Sequence, residues 1–227
     1  MQQDAERWKA WLRGIVRDAP LHARWLNTLS LLEHIGSRKI VKALDSDTLD
    51  LQLLQHIAEE ARHAFFFKRL SERVAAGACP TYEAPYVLSA SASRAYIQGL
   101  DREVHDYLQR QGALPQEAAR ASMLAYLVVT TLIEERATAM YALYEEVLRE
   151  VDSPLSLRSV LNEEDRHLQE MHEAFARFEG FAWPLHAPTL RQTEAQLFEA
   201  WLVSLEREHP ARPSQGSKRS ESYTSPC

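Results

Sequence analysis

The chain has 227 residues, a net charge of −6, charged residues at 26% and only 7 glycines. That length suits one domain with a sizeable core, and scarce glycine with long proline-free stretches favours an all-α protein over a sheet-rich one. The negative balance gives no electrostatic reason for an obligate nucleic-acid partner, and two cysteines, Cys79 and Cys227, argue against a disulfide framework or a cysteine-based metal cluster.

Met1 to Arg13 is polar and amphipathic, without the apolar core of a signal peptide. No stretch approaches the roughly 18 uninterrupted apolar residues of a membrane span. A cytoplasmic protein with no membrane association is expected. Trp8, Trp11, Leu12 and Ile15 recur at helical spacing, which predicts a leading helix packed on the rest and leaves a homodimer contact open. A first main helix is expected from about Leu21 to Leu44. Asp45-Ser46-Asp47 then offers a turn and an N-cap, so a second helix should start near Thr48 and stop near Gly77. So short a connection makes the two antiparallel neighbours.

Residues Gly77 to Gly112 read as a long crossover containing a helix around Ser91 to Arg110. A third main helix is expected from Pro115 to about Arg149, and Ser153-Pro154 reads as N-cap and first residue of a fourth that extends to about Phe178. A last amphipathic helix spans Leu190 to Arg207. One domain, residues 1–208 with its four-helix core at about 21–178, is thus expected. Residues 209–227, rich in Pro, Ser, Arg and Lys, bury too little to offset chain entropy and read as a disordered tail.

One pattern on these helices occurs twice in the same order. Leu32-Glu33 is followed by Glu59-Glu60-Ala61-Arg62-His63, and Ile133-Glu134 by Glu163-Glu164-Asp165-Arg166-His167. Spacing agrees, with 27 residues from Glu33 to Glu60 and 30 from Glu134 to Glu164. In each Glu-x-x-His the two side chains share a helix face. A third match, Glu206 to His209, is followed at once by Pro210, has no isolated glutamate at a matching distance, and reads as chance.

Four facing helices would bring Glu33, Glu60, His63, Glu134, Glu164 and His167 together, the ligand set of two metal ions in a bundle core. Leu29, Leu32, Leu127, Val128 and Ile133 mark these turns as buried, where unpaired carboxylates are not tolerated. Two divalent cations would neutralise them; the competing reading is an exposed face paired with Arg62 and Arg166. Glu135 is an alternative to Glu134, but alignment with Glu33 selects Glu134. Glu59 and Glu163 are expected to pair with Arg62, Arg166 or the neighbouring helix. His56 shares the face of Glu60, yet its counterpart is Val160, so it reads as a core histidine beside the site. Tyr141 reads as core packing with a bonded hydroxyl. Small residues one turn from the ligand glutamates, Gly36 and Ala137 among them, fit either room for dioxygen or close helix packing.

Leu32-Glu33, Glu60-Ala61-Arg62-His63, Ile133-Glu134 and Glu164-Asp165-Arg166-His167 resemble the ferritin-like non-haem di-iron carboxylate superfamily over about residues 21–178. Two Glu-x-x-His motifs are similar to those of rubrerythrin, bacterial oxygenase components, ribonucleotide reductase small subunits and tRNA-modifying hydroxylases. The chain lacks the four-cysteine module common in rubrerythrins and is shorter than the reductase subunits; its strings most resemble the small tRNA hydroxylases. The resemblance implies an antiparallel four-helix bundle with a long crossover between the second and third helices and extra flanking helices. It also implies two iron ions, or manganese or a mixed pair, that activate O2 or peroxide to oxidise or hydroxylate an unidentified substrate, small molecule or tRNA. Glu60 and Glu164, or their partner glutamates, would bridge, and His63 and His167 would bind one ion each. Electrons would come from a ferredoxin or flavoprotein reductase or from the substrate, since neither a dinucleotide fingerprint nor a cysteine cluster is present. A ferroxidase or iron-handling protein, and a metal-free helical bundle, are the competing readings.

Overall fold

A computed structural model describes residues 2–43 and 49–210, and all regular structure in them is helical. Helices α1 (Gln2–Val16), α2 (Ala19–Ala43), α3 (Leu51–Val74), α4 (Ala90–Arg110), α5 (Ala118–Glu150), α6 (Arg158–Ala174) and α7 (Trp183–Glu208) follow one another in the chain. Among the described residues no helix is long and apolar enough to cross a membrane.

The leading stripe of α1 is consumed within the chain. Trp8 and Trp11 stack with ring centroids 5.0 Å apart, and both meet the edge of Trp25 from α2. Trp201 and Phe198 of α7 close this aromatic group. The expected turn and N-cap at Asp45-Ser46-Asp47 lie outside the described residues. Asp50 caps α3, its carboxylate accepting from Leu53 N at 2.9 Å.

Four helices form the centre, and their directions follow from which residues meet. Ser71 Oγ donates to Ala23 O and Ser30 Oγ to Ala64 O, so α2 and α3 are antiparallel and close. Glu145 reaches Leu157 while Arg120 reaches Arg177, so α5 and α6 are antiparallel as well. By contrast, His56 meets Tyr126 and Phe67 meets Tyr141, so α3 and α5 run in the same direction. Residues 75–117 must therefore carry the chain from one end of the bundle back to the other. That crossover is tied to α2: Asn27 donates to the Thr81 and Tyr86 carbonyls, and Thr28 Oγ1 accepts from Leu88 N.

Two helix starts differ from expectation for one reason. Gly112, at φ +62°, ends α4 in a Schellman turn, with Gly112 N bonded to Gln109 O and Ala113 N to Leu108 O. Pro115 follows as the residue that prevents continuation, and α5 begins only at Ala118. Asp152, at φ +51°, ends α5 in the same way, with Ser153 N committed to Leu148 O. Ser153 therefore belongs to the end of α5 and is not the N-cap of the next helix, which starts at Arg158. The first turn of α6 is held instead by Glu145 of α5, whose carboxylate accepts from Leu157 N at 2.7 Å and Ser156 Oγ at 3.2 Å. Glu145→Ala is expected to cost about 1–2 kcal/mol in urea denaturation; an unchanged midpoint would remove Glu145 from this role.

Helix α6 ends at Ala174 and continues as a 3₁₀ turn, Phe175–Arg177, one residue short of the expected Phe178. Helix α7 starts at Trp183 rather than Leu190, because Pro184 sits in its first turn and Trp183 stacks on Phe175 at 4.9 Å. Pro188 lies early in this helix and is accommodated there. A buried network joins the flanking helices to α5: Glu194 of α7 accepts from Arg136 Nε and Nη2 at 2.9 and 2.6 Å and from the Tyr96 hydroxyl at 2.7 Å. Residues 211–227, most of the expected disordered tail, lie outside the described residues.

Candidate metal centre

All six sequence-predicted ligands are buried, with Glu164 at 1% and His167 at 0% exposure, and all six face one another between α2, α3, α5 and α6. Their ligand atoms fall into two groups. Glu33, His63 and Glu164 form one; Glu60, Glu134 and His167 form the other together with His56, and within each group the atoms lie within 4.8 Å of one another. Glu164 faces both groups, with Oε1 3.1 Å from His63 Nδ1 and Oε2 3.4 Å from His167 Nδ1. Glu60 Oε1 is 3.9 Å from each of the same two nitrogens.

The histidines are aimed from outside the cluster, each by the opposite hairpin. His167 Nε2 of α6 donates to Glu59 of α3 at 2.8 Å, and His63 Nε2 of α3 donates to Glu163 of α6 at 2.8 Å. Arg166 and Gln55 hold Glu59, and Arg62 holds Glu163. Donation from Nε2 turns Nδ1 inward, the nitrogen that a metal would take in place of any proton it carries. His56 is aimed the other way round. The Tyr126 hydroxyl holds its Nδ1 at 3.0 Å, and its Nε2 lies 3.4 Å from Glu134 and 3.5 Å from Glu60. His56 thus belongs to the cluster itself, where the sequence reading has it in the core or beside the site rather than among the ligands; its place four residues before Glu60, on the same face, is the signal for this position.

Glu135 points away from the cluster and pairs with Arg191. Glu206, from the third Glu-x-x-His, pairs with Arg7 and stands apart from the site. The Tyr141 hydroxyl donates to Glu33 Oε1. Gly36 is explained by Glu60: a Cβ there would sit 2.7 Å from Glu60 Oε2. Gly36→Ala should gain helix propensity of about 1 kcal/mol yet displace the Glu60 carboxylate. We expect an intact fold and metal affinity lowered about tenfold or more in a chelator competition; unchanged affinity would separate Gly36 from the site.

Protonation shows how the cluster is balanced by itself. Burial, then the charge of Glu60, pushes Glu33 up to about 8. Burial and the Glu164 charge raise Glu134 well above the carboxylate range, and burial raises Glu164. For Glu60 burial acts upward too, but His56 and the other imidazoles outweigh it and lower it. Burial alone would lower both His56 and His63; the facing Glu134 and Glu60, and the facing Glu164 and Glu33, outweigh it and bring each up to about 10. Outside, Glu59 falls to about 2, because Arg166, Gln55 and His167 overcome its burial.

Protons thus occupy places that a cation would take, and binding metal must expel them. Raised groups stabilise the metal-free fold fully below their unfolded values, and that contribution disappears as pH rises through about 8 for Glu33 and about 10 for His56 and His63. From about pH 7 to about pH 10, metal-free stability is expected to fall while metal affinity climbs. Calorimetry in buffers of different ionisation enthalpy should register proton release; a release of none would contradict this balance.

No family model, curated protein or solved structure matches the chain. The site must be judged on its own chemistry. Among the described residues, His56 Nε2, Glu60 Oε1, His63 Nδ1, both Glu164 oxygens and His167 Nδ1 are buried without a hydrogen-bond partner, and all belong to the two groups. Buried polar atoms left unpaired cost about 1–3 kcal/mol each. A set this concentrated, made of carboxylate oxygens and imidazole nitrogens, fits a pair of divalent cations.

Proposed function

We propose that the chain is a ferritin-like di-iron oxidoreductase that oxidises or hydroxylates an organic substrate. The observation that carries this reading is the convergence of unpartnered imidazole nitrogens and carboxylate oxygens in two adjoining groups. The parallel course of α3 and α5, joined by a long crossover, supports the ferritin-like topology. Glu33, His63 and Glu164 would hold one ion, and Glu60, Glu134 and His167 the other, with Glu164 facing both. A ferrous pair supplies the electrons and open coordination positions for activating O2 or peroxide. Manganese or a mixed pair suits the same nitrogen and oxygen ligands.

The chain's own residues prepare that chemistry. Glu59 and Glu163 fix the imidazoles, and Tyr141 fixes Glu33. A cavity of about 50 Å³ touches Glu33, Glu60 and Glu134, enough space for a diatomic molecule and little else. A second cavity of about 360 Å³ reaches His56 from the other side, and its size favours an organic substrate over a ferroxidase or storage role. An external ferredoxin or flavoprotein would supply reducing equivalents.

The test is anaerobic Fe(II) loading with metal counting, followed by O2 exposure and Mössbauer spectroscopy. Two irons per chain that become magnetically coupled on oxidation support the reading. Absence of stoichiometric metal contradicts it, and accumulation of many irons per chain would favour iron storage.

A further inference from the structure

The larger cavity has a chemical character of its own. It lies between α3, α5 and α6, with His56 and Tyr126 at its buried end and apolar walls from Leu53, Met123, Leu127, Met171 and Phe178. Its rim is charged, and the two signs are used differently there. Asp50 is engaged in capping α3, and Glu170 pairs with Arg166 at 3.2 Å. Arg120 and Arg177 are exposed at the same rim. Arg120 reaches only the Arg177 carbonyl, at 3.4 Å, and the face of Phe178; Arg177 reaches only Gln52, at 3.4 Å. Among the described residues neither guanidinium has an acidic partner. Capping leaves the Asp50 charge in place, so the rim carries both signs. Arg120 and Arg177 are the two cations there with no ion-pair partner among the described residues, and above an apolar shaft they form a receptor for one anionic head on an apolar body.

We propose that this cavity binds an amphiphile with a single terminal carboxylate or phosphate, its head between Arg120 and Arg177 and its apolar end toward His56. The proposal rests on the functional reading above in one respect, that the end beside His56 is the end presented to the metal positions. Binding itself requires only the cavity and the two arginines. Neutral or cationic organic molecules of the same length leave the guanidiniums unpaired and bind more weakly.

The experiment uses the full chain, metal-free and loaded with Co(II), titrated calorimetrically with decanoate, decyl phosphate and decanol. At least one of the two anions should bind about tenfold or more tightly than decanol, and the tighter anion identifies the head group. Arg120→Gln with Arg177→Gln should erase that preference while leaving decanol affinity and thermal stability unchanged. Ala174→Phe, which fills the shaft from its wall, should abolish binding of all three. Equal binding of decanol, an anion preference that survives the double substitution, binding that survives Ala174→Phe, or no binding of either anion overturns the proposal. The Co(II) absorption spectrum keeps the two readings apart. Failure to bind Co(II) stoichiometrically counts against the metal centre alone. A Co(II) spectrum that shifts with the bound anion supports the placement beside His56, and one that stays fixed while the anion binds overturns that placement.

Discussion

Glu164→Gln is expected to make the metal-free protein more stable and, in the same molecule, to end the stoichiometric binding of paired divalent metal proposed above. Glu164 is 1% exposed, and both its oxygens lack a hydrogen-bond partner among the described residues. Burial raises its proton affinity and outweighs the lowering contacts with Glu134 and His63. Glutamine keeps the shape and removes the buried acid, so a gain of about 1–3 kcal/mol is expected in urea denaturation without metal. The same change removes the carboxylate that faces His63 and His167 at once, so metal counting should fall from two per chain to one or none. Stability and metal content moving in opposite directions is the signature of a group retained for its ligand role. Loss of stability in the metal-free state, or two metals retained, would contradict it.

Glu194→Ala should be the most damaging single substitution outside the cluster. Its carboxylate is buried and accepts from Nε and Nη2 along one edge of the Arg136 guanidinium and from the Tyr96 hydroxyl, joining α7 to α5 and α4. Removing it strands a mostly enclosed cation and a buried hydroxyl together, which costs about 3–5 kcal/mol. Arg136 also stacks on Phe198 at 4.1 Å and keeps some solvent contact, which places the loss toward the lower figure. Replacing both partners, Arg136→Met with Glu194→Leu, should recover much of it, since neither charge is then left alone. Denaturation midpoints of the single and double variants measure the coupling; additive losses would mean that the pair is not a unit.

What the sequence revealed, and what it hid, divides along local and non-local lines. A Glu-x-x-His pair shares a helix face by geometry alone, so Glu60 with His63 and Glu164 with His167 could be read from spacing, and flanking apolar residues placed Glu33 and Glu134 inward. The Pro residues misled because proline both opens helices and follows their ends. Only the left-handed backbone at Gly112 and Asp152 decides between these roles, and Asp152 is not a glycine that would have announced it. The cap that Glu145 gives α6 comes from another helix and leaves no local trace. His56 has no counterpart in the internal repeat, because the matching position, Val160, is packed in the core. Where the two halves differ, a comparison of halves is blind.

The crossed contacts of Glu59 with His167 and Glu163 with His63 have a consequence for assembly. Neither hairpin carries an oriented imidazole of its own; each borrows its aim from the other. A half that had folded but not yet docked would present loose side chains with little hold on a cation. If the proposed ion pair binds there, its capture would report that the two halves have met, and the filled site would act as a lock on the finished fold.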